Sequence, residues 1–161
     1  TFLALSFQEN FIINAIFFSI LIFIFFYDFL YQEIHDAVMI PGILLAFIFS
    51  LVLGNWENAV LGAMIGTLFF GLQWIISKGK WLGSGDIRIG AFMGLMLGWE
   101  LTLVAIMSAY IFGSIYSIYL LATKKASQKT AIPLGPFLSL GTALAFFYGK
   151  PIIDWYLNFM I

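Results

Sequence analysis

Long apolar runs separated by short polar connections make up most of the chain. The runs are continuous and do not alternate with polar residues, which argues against half-buried strands. A helix needs roughly 20 apolar residues to cross a bilayer, and several runs have about that length. The pattern predicts six spanning helices, at residues 11–30, 41–53, 59–77, 86–97, 101–122 and 132–148.

Two further segments lie outside these runs. Residues 1–7 are apolar but too short to span, and the chain starts with Thr1 and not Met, so we expect the tail of an upstream helix. Residues 152–161 are rich in Trp, Tyr and Phe, which is typical of a segment at the membrane interface. Pro41 suits the first turn of the second helix. We expect residues 1–161 to form a single membrane-embedded domain.

Composition supports the membrane interpretation and narrows the chemistry. With 63% hydrophobic and 9% charged residues, the chain has too little polar surface for a soluble domain. The fold class is therefore all-α polytopic membrane protein, with the lipid bilayer as its surroundings. The net charge of −1 gives no reason to expect nucleic acid. Without cysteine there is no disulfide, thiol nucleophile or Cys-ligated metal, and the single His35 argues against a histidine metal site or a Ser-His triad.

The basic residues predict the orientation. If every run crosses the membrane, the connection after residue 77 and the one after residue 122 lie on the same side, together with the one after residue 30. These connections carry six of the seven basic residues, so they are predicted to be cytoplasmic. The seven are Lys78, Lys80, Arg88, Lys124, Lys125, Lys129 and Lys150.

Two carboxylic acids are predicted at this cytoplasmic end. Asp28 lies near the end of the first run, and Asp86 opens the fourth. The fourth run gives roughly 20 Å of helix against a hydrocarbon core of about 30 Å, so Asp86 is expected to be submerged. An ionisable group at membrane depth is by default a candidate functional residue.

Glycines at four-residue spacing indicate which face of the fourth helix packs against protein. Asp86, Gly90, Gly94 and Gly98 share one helix face, and small residues let a second helix approach closely. That face is predicted to pack against protein. Simpler roles stay open: Asp86 could be only a helix N-cap, Asp28 could pair with Arg88 or a lysine, and the glycines could serve packing alone.

Two carboxylates in a wet pocket of low dielectric constant suit hydrolysis of a peptide bond. They cannot both ionise easily, so one keeps a proton and polarises a carbonyl while the other takes a proton from water. Gly83 and Gly85 would leave room for an extended substrate beside Asp86.

At these residues the sequence resembles the type IV prepilin peptidases, which are GxGD-type intramembrane aspartic proteases. Three blocks in order carry the resemblance, although His35 and Arg88 stand where the family usually has Pro and Lys. They are Asp28-Phe29-Leu30-Tyr31-Gln32-Glu33-Ile34-His35-Asp36 with Ile40-Pro41-Gly42, Gly83-Ser84-Gly85-Asp86-Ile87-Arg88 with Leu97-Gly98-Trp99, and Ile132-Pro133-Leu134-Gly135-Pro136-Phe137.

The resemblance implies a function and roles for these residues. It implies an aspartic endopeptidase of the bacterial cytoplasmic (inner) membrane that removes the short basic leader of prepilin or pseudopilin precursors, without metal or cofactor. Asp28 and Asp86 would be the catalytic pair, and Glu33 and Asp36 could attract the leader. The supporting motif residues would be Gly83, Gly85, Asp36, Pro133, Gly135 and Pro136.

Other interpretations stay open at this point. Many family members also carry a cysteine-rich domain that methylates the new N-terminus, and we expect no methyltransferase activity from these residues. A multi-pass transporter or proton-conducting protein could use Asp28 and Asp86 as a relay. A non-catalytic assembly subunit could use the same acids as caps.

Overall fold

The computed structural model describes residues 10–124 and 132–160, and within them the chain is helical without strands. The helices are α1 Phe11–Tyr31, α2 Asp36–Val52, α3 Trp56–Ser77, α4 Ser84–Leu97, α5 Trp99–Ala122 and α6 Gly135–Met160. Four of them, α1, α3, α5 and α6, are long and apolar enough to cross a membrane, and α2 is a shorter apolar helix. The chain is an all-α polytopic membrane protein, as the apolar pattern predicts.

Helix α1 turns a narrow stripe inward and large apolar side chains outward. The buried residues of α1 recur at spacings of three and four, which defines one face of a helix. Asp28 is the last member of this stripe, so its burial follows from the same periodicity as that of the apolar core. The stripe consists of Asn14, Phe17, Leu21, Ile24 and Asp28.

The short helix α4 lies at the centre of the bundle. It packs against α2, α3, α5 and α6, and most of its side chains are buried. Its 14 residues give about 21 Å of helix, less than a bilayer core. Surrounding helices cover it, and Asp86 is 7% exposed, while its depth in the membrane stays a prediction.

The four-residue glycine pattern makes the closest helix contact in this core. Gly90 and Gly94 of α4 face Gly66 and Gly62 of α3, backbone against backbone. A Cβ added to Gly66 would lie 2.7 Å from the Gly90 carbonyl carbon, closer than real Cβ contacts. Gly98 then turns the chain into α5 with a φ of 78°, which favours glycine. The predicted packing role of the glycines is confirmed.

Two predicted helix starts are wrong. Helix α2 begins at Asp36 and not at Pro41, because the acid stabilises the helix N-terminus and Pro41 is accommodated one turn inside. Helix α4 begins at Ser84 with Gly83 as its N-cap, so Asp86 is the third helical residue. The interpretation of Asp86 as an N-cap is therefore wrong.

The last helix also differs from the prediction. Helix α6 begins at Gly135 and continues through Pro151 to Met160, with no break before the aromatic segment. Beyond Gly149 the helix is largely exposed, and Ile153 is the residue of this part that packs against the core, so Pro151 lies where few contacts depend on an unbroken helix. The expected interfacial location of this segment stays a prediction. Residues 1–7, Lys125 and Lys129 lie outside the described residues.

The α3–α4 contact predicts a difference between two glycines of the same helix. Gly66→Ala should destabilise the protein by about 1–3 kcal/mol, because a methyl group would meet the Gly90 backbone. Gly71→Ala is the matched control, because nothing lies within 4 Å of its added Cβ, and alanine favours the helix by up to about 1 kcal/mol. Thermal unfolding in detergent measures both; equal shifts would contradict the close contact.

Candidate functional site

A cavity of about 450 Å³ lies at the end of the bundle where three connections meet. Its wall is formed by residues 32–34 after α1, residues 79–83 before α4 and residues 132–134 before α6. These are the connections that the parity of the spans predicts on one side. Asp28 and Asp86 both line the cavity, so the structure brings the two predicted acids to the same place.

The turn into α4 positions Asp86. Gly83 has an extended backbone, and its N–H donates to Asp86 Oδ2 at 3.0 Å. The side chain of the third helical residue thus reaches back to the N-cap, as in half of a capping box. The carboxyl group is held within the first turn, where a negative charge is favoured by the helix dipole.

Asp28 is held by the start of a different helix. The Gly135 N–H at the beginning of α6 donates to Asp28 Oδ2 at 2.8 Å, in a buried hydrogen bond. A Cβ at Gly135 would lie 2.6 Å from the same oxygen, so only glycine lets the carboxyl group approach. This explains the glycine of the third sequence block. The sequence marked Gly135 only as part of a motif, and its backbone donor was not predicted.

The two acids share the cavity but are not directly bonded to each other. Within the described residues no hydrogen bond joins Asp28 to Asp86, although Asp28 is close enough to act on Asp86 electrostatically. No group of three His, Cys, Asp or Glu side chains in this part of the chain could hold a metal ion. The arrangement is two buried carboxyl groups, each with one backbone donor, on the wall of an accessible cavity.

The two glycines before Asp86 have different surroundings. A Cβ at Gly83 would have only ordinary contacts, the nearest at 3.8 Å from Asp86 Oδ2, so space lies beside the acid there. A Cβ at Gly85 would collide with the Ile34 side chain, at 2.7 Å from its Cβ. Gly85 therefore packs against the connection between α1 and α2, whereas Gly83 leaves room in the cavity.

The two predicted leader-binding acids are separated by the structure. Glu33 is exposed and lines the cavity. Asp36 is the first residue of α2, and it forms an ion pair with Arg88, which also lines the cavity. The described wall of the cavity does not include Asp36 itself.

The proline block borders two further cavities. Ile132 and Pro133 line a cavity of about 130 Å³ together with Pro136, and another of about 430 Å³ against α5. Both are mainly apolar, and both share Ile132 and Pro133 with the cavity of the two acids. The segment before Gly135 therefore separates a polar cavity from apolar ones.

One polar pair inside the bundle was missed by the sequence reasoning. The Tyr110 hydroxyl of α5 donates to Gln73 Oε1 of α3 at 2.9 Å. Gln73 is the only side-chain amide between residues 59 and 77. A single amide in a long apolar run could have indicated a polar partner on another helix. The bond joins two long helices beside α4.

Comparisons with known proteins agree on one family. Residues 15–118 match the model of the type IV leader peptidase family, a stretch that includes both acids. A "Prepilin leader peptidase/N-methyltransferase" of Pseudomonas putida is 29% identical over 128 residues, which is 75% of this chain and 44% of that relative.

Two further relatives with the same name give similar values. One from Aeromonas salmonicida (strain A449) is 30% identical over 129 residues, 76% of this chain and 44% of the relative. One from Bacillus subtilis (strain 168) is 30% identical over 106 residues, 66% and 42% respectively. The chain spans less than half the length of these curated relatives. No solved structure matches it.

The different surroundings of the two glycines predict different effects of an added methyl group. Gly85→Ala should lower the free energy of unfolding by about 1–3 kcal/mol, because Ile34 must move out of the way. Gly83→Ala has space and an ordinary φ of −76°, and should cost at most about 1 kcal/mol, as alanine is a weaker N-cap. Thermal unfolding in detergent compares them. A larger loss for Gly83→Ala would contradict the packing of Ile34 on Gly85.

Proposed function

Because the chain belongs to the type IV leader peptidase family, we propose that it is an aspartic endopeptidase that removes the leader of prepilin-like precursors. Asp28 and Asp86 are the proposed catalytic pair. Cleavage takes place at the cytoplasmic face of the inner membrane, on the side where the basic connections lie.

The observation that carries the proposal is the placement of the two acids. Both are buried, at 6% and 7% exposure, yet both line one cavity. A buried carboxyl group without a cationic partner is costly, and such groups concentrate at functional sites. Among the residues that the structure describes, each has one backbone donor and no ion pair, so each keeps acceptor oxygens for water or substrate.

The proposed reaction uses one carboxyl group as base and the other as acid. The ionised carboxylate takes a proton from water, whose oxygen bonds to the carbonyl carbon of the peptide, while the protonated acid polarises the carbonyl oxygen. The C–N bond then breaks, and the leaving nitrogen receives a proton. The products are a carboxylic acid and a free amine, with one water molecule consumed.

The surroundings of the acids fit a substrate with a basic leader followed by an apolar helix. Glu33 adds an exposed negative charge to the wall, which would attract a basic leader. The apolar cavities beyond Ile132 and Pro133 provide a surface for the apolar segment after the cut. Supporting residues are Gly83, which leaves space beside Asp86, and Gly135, which holds Asp28.

Replacement of either acid tests the catalytic pair. Asp28→Asn and Asp86→Asn should each lower cleavage of a precursor with a basic leader by about 100-fold or more, because a general acid or base is lost. Asp154→Asn is the matched control, because Asp154 is exposed near the end of α6 and is not part of the described cavity wall. The full chain in detergent is incubated with the precursor, and products are identified by mass spectrometry.

Other outcomes of this experiment separate the alternatives. Cleavage that is unaffected by both substitutions would exclude the proposed pair. Absence of cleavage by the unmodified chain, together with proton or solute flux in vesicles that depends on both acids, would favour the relay.

Glu33 is predicted to act on binding of the leader. Glu33→Gln should raise KM for a basic leader about two- to fivefold and leave kcat unchanged, since an exposed charge contributes up to about 1 kcal/mol. Glu57→Gln is the control, because Glu57 lies in the first turn of α3, whereas the cavity lies near the last turn of that helix. An equal change in KM for a neutral leader would show that Glu33 does not recognise charge.

A further inference from the structure

Asp36 and Arg88 form an ion pair between two helices beside the candidate active site. Arg88 Nη1 donates to Asp36 Oδ1, and the two residues are 52 positions apart in the chain. Arg88 follows Asp86 by two residues in α4 and lines the cavity, whereas Asp36 starts α2. The pair therefore attaches a charged residue of the cavity wall to a partner that is not part of the described wall.

The charges on the wall make this partner important. The described wall carries three acids, Asp28, Glu33 and Asp86, and two basic residues, Lys80 and Arg88. The guanidinium of Arg88 is engaged by Asp36. Without Asp36, the carboxylates that share the cavity with Arg88 would be the ones left to attract it.

The magnitudes indicate which effect of the pair matters more. The two side chains are 39% and 49% exposed, so as a tether the pair contributes only about 0–1 kcal/mol. If it is freed and turns toward the cavity, the Arg88 guanidinium approaches Asp28 and Asp86, which are 6% and 7% exposed, and charges interact more strongly where water is scarce. It would favour the ionised form of an acid and occupy its acceptor oxygens.

Resting on the peptidase function proposed above, we propose that Asp36 is a positioning residue of the reaction. It holds the Arg88 guanidinium away from Asp28 and Asp86, so that one acid can carry a proton and both stay open to water and substrate. Asp36 thus acts through Arg88 and does not bind the leader.

A double-mutant comparison of cleavage tests this role. Asp36→Asn should lower kcat about tenfold, for precursors with a basic and with a neutral leader alike, because a freed guanidinium reduces the fraction of the site in which one acid is protonated. Arg88→Gln together with Asp36→Asn should restore kcat to within about twofold of Arg88→Gln alone, since no free guanidinium remains. Asp36→Glu keeps the ion pair and should retain most activity.

Two results would overturn the proposal. If the double variant stays as slow as Asp36→Asn, then Asp36 acts independently of Arg88. If Asp36→Asn raises KM only for the basic leader, then Asp36 contacts the leader directly.

A second measurement separates this proposal from the peptidase function. If the unmodified chain cleaves no precursor, the proposed function fails, and the charge relation is measured by thermal unfolding. The effect of Asp86→Asn is then compared in the unmodified chain and in Asp36→Asn. If the freed Arg88 reaches Asp86, the unfolding temperature shifts caused by Asp36→Asn and Asp86→Asn do not add in the double variant. Shifts that add would overturn the proposal.

Discussion

A hydrogen bond from the first backbone amides of a helix to a buried carboxyl group is the interaction on which the candidate site depends. Helix starts leave N–H groups without intrahelical partners, and buried acids need donors. Gly83 supplies such a donor to Asp86, and Gly135 supplies one to Asp28. Each backbone N–H thereby finds an acceptor, and each buried carboxyl group finds a donor. One hydrogen bond fixes each acid and leaves most of its acceptor sites available.

Glycine makes this arrangement possible at two scales. Within the bundle, Gly66 and Gly90 let α3 and α4 approach through their backbones, so the short α4 can lie inside the protein and not in lipid. At the site, Gly135 admits the Asp28 carboxyl group and Gly85 admits Ile34. The apolar surroundings of a membrane protein then keep the acids buried, and the ends of the helices give them access to water.

The charged residues near the two acids differ in where they lie relative to the cavity. Glu33 lines the cavity, while Asp36 is not part of its described wall and pairs with Arg88. Glu33 and Asp36 are three positions apart in the same sequence block but have different surroundings, because one lies in the connection after α1 and the other starts α2. Proximity in sequence suggested a common role, and the helix boundary between the two residues separates them.

Within the described residues, the sequence by itself determined the membrane class, the six helices and the placement of both acids at one end of the bundle, because apolar length and the spacing of glycines are local properties. The stripe that ends at Asp28 is equally readable from the chain. Only the tertiary structure decided that Gly135 holds Asp28 and that Asp36 pairs with Arg88. Those features depend on contacts between segments far apart in sequence, which no local pattern contains.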